Sequence, residues 1–377
     1  MVKSEAARRL VLIAVGLLLA LFLLEFPALV NVLDYNRMIG PGAHWWATNR
    51  ADPELLHIGR PYLHIVGQSR GGLMESGYQI PPSEMTLFRY DAKLDRNGFR
   101  NEVDLESVDM VVIGDSMVEG LTVPTPELMT SLLAHLQNEV VANLGQIDYG
   151  PQQELIVLKR YGLPLRPRAV LWMFYEGNDL KDVVDYDQAM RNARSFSWSA
   201  FFARSFTKNA LRGVKRLLLP AARPPGITRA GVLQTSNGKK LTLYFFFPSQ
   251  PLTKEDLSAL DETTRILAEA QKLCAAQGSR LIFVFVPEAF RVFQGFCQFP
   301  LESNCRQWVL SDLPERMRRA VGSISSDIGY LDLTPNLVEA VKRGAIPYDS
   351  DDPHWSPEGH KIAADAINGY LLATRSQ

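Results

Sequence analysis

Five short apolar runs, separated by stretches of helical spacing, leave this chain few folds to choose from. The runs cover residues 108–113, 140–144, 169–175, 280–286 and 330–333. They are rich in Val, Ile, Leu and Phe and lack polar alternation, which is the pattern of strands buried on both faces. Helical patterns at 127–137, 152–160, 254–276, 313–324 and 337–342 lie between or after them, and 356–372 closes the chain. Strands alternating with helices predict an α/β fold, a three-layer parallel sheet with helices on both faces. A hydrophobic share of 46% against 21% charged residues is enough for a sizeable core.

Ligands in such sheets bind at the carboxyl edge of the strands, so the residues that follow each run carry the chemistry. The first run ends in Gly114-Asp115-Ser116. A serine hydroxyl there needs a base to become a nucleophile. Asp351-Asp352-Pro353-His354, just before the last helix, supplies one. His354 is expected to accept and return the proton, and Asp351 to orient its ring, with Asp352 as the rival. The third run ends in Glu176-Gly177-Asn178-Asp179. The Asn178 amide and the Ser116 backbone N–H are candidate donors to a tetrahedral oxyanion. The second run leads into Asn143-Leu144-Gly145-Gln146-Ile147-Asp148-Tyr149-Gly150, a turn able to add a backbone donor. Asn143 itself is expected to tie loops together.

Four such blocks in this order resemble the SGNH (GDSL-type) hydrolase family. Gly114-Asp115-Ser116 is similar to its nucleophile block, and Asn143 to Gly150 to its glycine block. Gly177-Asn178-Asp179 is similar to its Gly-x-Asn-Asp block, and Asp351-x-x-His354 to its Asp-x-x-His block. The resemblance implies a flavodoxin-like sheet and a serine acyl-enzyme with no cofactor or metal. The family places a glycine where this chain has Asp148, so either Asp148 or Gly145 is expected to offer the second backbone N–H. The segment Asn97-Gly98-Phe99-Arg100 and the tail Trp355-Ser356-Pro357-Glu358-Gly359-His360 resemble membrane-anchored bacterial members associated with surface-polysaccharide systems. That resemblance implies an acyl group such as acetyl on a sugar hydroxyl, and polysaccharide machinery of the envelope as a partner.

The amino terminus reads as a membrane anchor. Residues 10–24 are apolar or Gly, and Lys3, Arg8 and Arg9 precede them. The bias predicts a cytoplasmic amino end and an extracytoplasmic body on a single-pass protein of the bacterial inner membrane. A cleaved signal peptide is the competing reading. The expected layout is a tail at 1–9, an anchor at 10–33, an irregular accessory segment at 34–104 and the hydrolase domain at 105–377. A basic insertion at about 186–251 interrupts that domain. From Gln188 to Lys254 the chain has twelve Lys and Arg and no Asp or Glu, although its net charge is −1. A helix expected near 201–219 would suit an anionic membrane surface or simply the core. Cys297 and Cys305 bracket a short loop and are candidates for a disulfide, while Cys274 reads as a buried free thiol. No zinc spacing and no Gly-x-Gly-x-x-Gly turn occurs, and nucleic acid is not an expected partner. Three functions stay open at this point. They are an extracytoplasmic serine esterase, an O-acyltransferase using the same residues, and a non-catalytic envelope component.

Overall fold

The computed structural model describes residues 2–30, 32–39, 47–194, 198–219, 222–234, 238 and 240–374. The chain divides into two compact units. One joins Met1–Arg50 to Gln188–Ala222, and the other joins Ala51–Asp187 to Arg223–Gln377.

The first unit is helical. Helix α1 (Val2–Leu29) contains Ala7–Leu29, a stretch long and apolar enough to cross a membrane by length and composition, with its side chains exposed up to Leu24. The same properties suit an anchor or a signal sequence. The short helix α2 (Tyr35–Ile39) follows. The single helix expected near 201–219 is instead two, α8 (Trp198–Arg204) and α9 (Phe206–Leu218). Ser205 breaks them apart. It leaves helical geometry, and its hydroxyl accepts the Lys208 N–H at 3.3 Å as the N-cap of α9. Pro220, expected to end the helix, lies outside the described residues.

The second unit begins with short strands in a segment whose sequence reads as irregular. These are β1 (Asn49–Asp52), β2 (Leu56–Gly59), β3 (His64–Arg70) and β4 (Leu87–Lys93). Strands β3 and β4 pair antiparallel, with His64 opposite Lys93. Between them lies α3 (Leu73–Gly77).

The main sheet holds β5 (Met110–Gly114), β6 (Val141–Gly145), β7 (Ala169–Tyr175), β10 (Arg280–Val286) and β12 (Gly329–Asp332), all parallel. Their spatial order is β12-β10-β7-β5-β6. Counted along the chain, that is the doubly wound order 2-1-3-4-5 of a flavodoxin-like sheet, whose switch point lies between its first and third strands. Here those are β5 and β7, the strands that end at Ser116 and Asn178.

Alternate residues of each strand feed two cores. Val111, Ile113, Trp172, Phe174 and Phe283 face one side, packed by α6 (Pro151–Val157), α10 (Lys254–Ala276) and α12 (Leu313–Ile324). Met110, Val112, Leu171, Met173 and Val284 face the other. There they meet α5 (Met129–Gln137), α13 (Thr334–Lys342) and α14 (Pro357–Thr374). Each strand side chain of this kind gains about 1.5–3 kcal/mol from burial. The remaining helices are α4 (Ser116–Glu119), α7 (Asp179–Arg194) and α11 (Ala289–Phe293).

The part of the basic stretch in this unit forms β8 (Ala230–Gln234) and β9 (Lys240–Tyr244), a pair the sequence analysis did not expect. Strand β11 (Cys297–Gln298) adds a third edge to them. The disulfide proposed for Cys297 and Cys305 is absent, and both thiols are free. Cys297 sits in β11 and Cys305 in a turn capped by Ser303. Burial pushes their thiols up to about 12 and about 11, so neither ionises readily. Cys274 is a buried free thiol in α10.

Candidate active site

Ser116 is the first residue of α4, where β5 turns sharply into a helix. Asp115 caps that turn by accepting the Met117 N–H at 2.9 Å. The Ser116 side chain is left partly open to solvent. His354 reaches it from a loop 238 residues away, with Nε2 2.8 Å from Ser116 Oγ.

The carboxylate on the other ring nitrogen is Asp352, not Asp351. Asp352 Oδ1 bonds His354 Nδ1 and also accepts the His354 backbone N–H at 3.1 Å. Asp351 points away from the ring. Its Oδ2 accepts the Gly72 N–H at 2.9 Å, and its carboxylate takes the Thr86 N–H at 3.2 Å. Asp352 Oδ2 in turn accepts the Leu73 N–H at 2.8 Å. Successive residues in an extended turn face opposite ways, so one acid serves the imidazole and the other serves the accessory segment. Gly72 makes this possible. A Cβ there would lie 2.5 Å from Asp351 O and 2.6 Å from Asp352 Cβ.

The electrostatics follow from burial and these pairings. Burial pulls the His354 ring down, but the Asp352 charge and hydrogen bond, helped by Asp115 and Asp349, push it up to about 9. Burial raises Asp352, but the His354 charge and hydrogen bond and the N–H groups of Leu73 and His354 hold it below its ordinary value. Asp352 therefore stays ionised. Asp115 is pushed by burial to about 6 and held there by the Met117 N–H and His354.

The Gly145 N–H is spent on Asn143 Oδ1 at 3.0 Å, so Gly145 does not supply an oxyanion donor. Asn143 links loops, donating to Val118 O at 2.7 Å, and its N–H goes to Asn101. Asp148 takes a left-handed backbone conformation with φ 60°, the kind glycine adopts freely and Asp tolerates better than most residues. Among the described residues neither the Asp148 N–H nor the Ser116 N–H has a hydrogen-bond partner. The Asp148 side chain is open to solvent at the rim. The protein crowded around it raises its carboxyl, and the charge of His354 acts in the opposite sense.

The Asn178 amide donates to Asp182 Oδ2 at 2.6 Å, which fixes its orientation beside the buried Asp115 carboxylate. Beside it lies a groove of about 230 Å³, lined by Gly177, Asn178, Phe247, Ser249 and Glu288.

Buried polar residues outside the four blocks hold this constellation in place. Buried Glu119 accepts the Ile147 N–H at 2.9 Å and fixes the turn that carries Asp148. Burial pushes its carboxyl up to about 7. Arg100 is buried beneath α4 and donates to the carbonyls of Gly120 and Val123, the latter at 2.6 Å. Burial lowers it to about 10, and it remains a cation. His360 is buried, and its Nδ1 accepts the Met129 N–H at 3.2 Å. In the sequence this support shows in the Asn97-to-Arg100 segment and the Trp355-to-His360 tail, while Glu119 carries no comparable signal. Among the described residues no cluster of side chains could hold a metal ion.

Residues 244–377 match a family described as SGNH hydrolase-like domain, acetyltransferase AlgX. That stretch, residues 244–377, is what is similar to an SGNH hydrolase-like domain. The match includes the Asp352–His354 loop and α14, while Ser116 and Asn178 lie ahead of it. Similar solved structures include a lipolytic protein of the G-D-S-L family from Desulfitobacterium hafniense DCB-2. It is 13% identical and covers 70% of this chain and 98% of its own, with a TM-score of 0.37. A GDSL-like lipase from Bacteroides thetaiotaomicron VPI-5482 is 14% identical over 70% and 87%, at 0.34. An acetyl xylan esterase, AlAXEase, is 8% identical over 70% and 99%, at 0.37. No curated protein matches the chain. The strand order puts Ser116 and Asn178 on neighbouring strand ends.

Proposed function

We propose that this chain is a serine enzyme of acyl groups, cleaving an ester through an acyl-enzyme on Ser116. Ser116 Oγ attacks the ester carbonyl as His354 Nε2 takes its proton. Asp352 holds the ring and stabilises the imidazolium. The carbon–oxygen bond to the alcohol breaks, and the alcohol leaves with the proton from His354. Water then attacks the acyl carbon, gives its proton to His354, and Ser116 takes that proton back. The N–H groups of Ser116 and Asp148 and the Asn178 amide are the proposed oxyanion donors, each typically worth ~10²–10³ in rate. The observation that carries this reading is the 2.8 Å contact between His354 Nε2 and Ser116 Oγ, with Asp352 on Nδ1.

A second reading replaces water by a sugar hydroxyl, making the chain an O-acyltransferase. The match to a family described as acetyltransferase AlgX favours it. The groove beside Asn178, where Phe247 stands next to Ser249 and Glu288, is suited to a sugar ring. In both readings α1 is taken as a retained membrane anchor with the body outside the cytoplasm, acting on an acylated carbohydrate of the envelope.

A fluorophosphonate probe tests the acyl-enzyme. Labelling that is lost in Ser116→Ala and reduced in His354→Ala supports it. Absence of labelling in the unmodified chain would favour a non-catalytic component. Release of acetate from an acetylated oligosaccharide, compared with transfer to an added acceptor, separates the two readings.

A further inference from the structure

Helix α9 presents three sectors. Phe206 packs on the Tyr35 ring of α2 at 5.3 Å, and Asn209 is fully buried. The second sector is Leu211, Val214 and Leu218, spaced by three and four residues and 51–72% exposed. The third is Lys208, Arg212, Lys215 and Arg216, and none of the four forms an ion pair among the described residues. An exposed apolar stripe beside an unpaired basic stripe is the pattern of a helix lying in a membrane interface.

A second, independent observation fixes the depth. Glu25 sits late in the apolar part of α1, where an unpaired carboxylate would be costly in a bilayer. Its two oxygens accept the N–H groups of Phe206 at 3.2 Å and Thr207 at 2.7 Å, in the first turn of α9. The positive end of that helix suits the charge. From Leu10 to Leu24, past Arg8 and Arg9, α1 rises about 22 Å, most of the thickness of a bilayer core. Glu25 thus marks the far interface, and it ties the start of α9 to that level. An apolar groove lined by Phe201, Phe202, Leu211 and the stems of Lys208, Arg212 and Lys215 opens beside it.

We infer that α8 and α9 form a membrane-surface device that docks on a leaflet of anionic phospholipid. Phe202, Leu211, Val214 and Leu218 enter the acyl boundary, and Lys208, Arg212, Lys215 and Arg216 engage lipid phosphates. The inference rests on the reading of α1 as a retained anchor. Each cation near an anionic surface strengthens binding roughly fivefold.

The test uses the full chain in vesicles of phosphatidylcholine, alone or with phosphatidylglycerol. A Val214→Cys variant carries an environment-sensitive fluorophore, and the unsubstituted chain, labelled in parallel, gives the background from Cys297. The expected result is a blue-shifted probe, quenched by spin-labelled lipid, in the anionic vesicles only. Combining Lys208→Gln, Arg212→Gln, Lys215→Gln and Arg216→Gln should abolish that preference. A probe that stays in water in both vesicles, or is buried equally in both, overturns the inference. Burial that grows with protein density in neutral vesicles assigns the face to a second copy and also overturns it. Alkaline carbonate extraction separates the underlying reading. A chain stripped from the vesicles loses the anchor, whereas a resistant chain with a water-exposed probe loses only the docking.

Discussion

Asp351 and Asp352 are neighbours with different partners, and exchanging their charges one at a time separates two accounts of the site. Asp352→Asn removes the charge that lifts His354 from its ordinary 6.5 to about 9. That difference corresponds to about 3 kcal/mol of imidazolium stabilisation, or ~10² in rate. An asparagine also permits the wrong ring tautomer, which can carry the loss toward ~10⁴. Asp351→Asn keeps an oxygen for the Gly72 and Thr86 N–H groups and should cost less than about tenfold by the same arithmetic. Hydrolysis of p-nitrophenyl acetate reports both. The pH profile adds a sign. His354 works as a base only when neutral, so activity should climb as pH rises through about 9. Conversely, the stability that charged His354 contributes is complete below pH 6.5 and fades as pH rises through about 9. In Asp352→Asn, burial acts against a weaker opposition from Asp115 and Asp349, and the midpoint should fall to 6.5 or below. Turnover of Asp352→Asn within threefold of the unsubstituted chain, an unmoved midpoint, or a larger loss in Asp351→Asn would each refute the assignment.

Two further substitutions probe the backbone. Asp148→Gly keeps the left-handed turn and its N–H while removing a carboxylate from the rim, so turnover should hold or rise by up to about tenfold, with stability changed by about 1 kcal/mol or less. A tenfold fall would mean that the side chain, not the N–H, matters. Gly72→Ala forces a Cβ against Asp351 O and should displace Asp352, lowering kcat by about 10² while circular dichroism shows the fold intact. Unchanged kcat would show that Gly72 is not needed for the alignment.

The parallel sheet was legible because its strands are buried on both faces, and their apolar runs leave no alternative period. The meeting of Ser116 with His354, and the place of Asn178 on a neighbouring strand end, were legible because loops at one sheet edge carry polar residues that a core would not. Asp351 was the wrong orienter because a three-residue spacing says nothing about which way successive side chains point. That is settled by N–H groups from Gly72, Leu73 and Thr86, some 265 to 279 positions earlier. Strands β3 and β4 were missed because both are largely exposed, which leaves a weak apolar signal. Gly145 failed as a donor through a bond to Asn143 only two residues away, visible only once the turn is built.

The grip of Gly72, Leu73 and Thr86 on the two aspartates bears on how this protein can be dissected. A fragment beginning at residue 105 would retain every side chain proposed for the chemistry and still leave its acid loop untethered. Silence from such a fragment would speak to missing scaffolding rather than to missing catalysis. Functional cloning therefore has to start upstream of the β3–β4 hairpin.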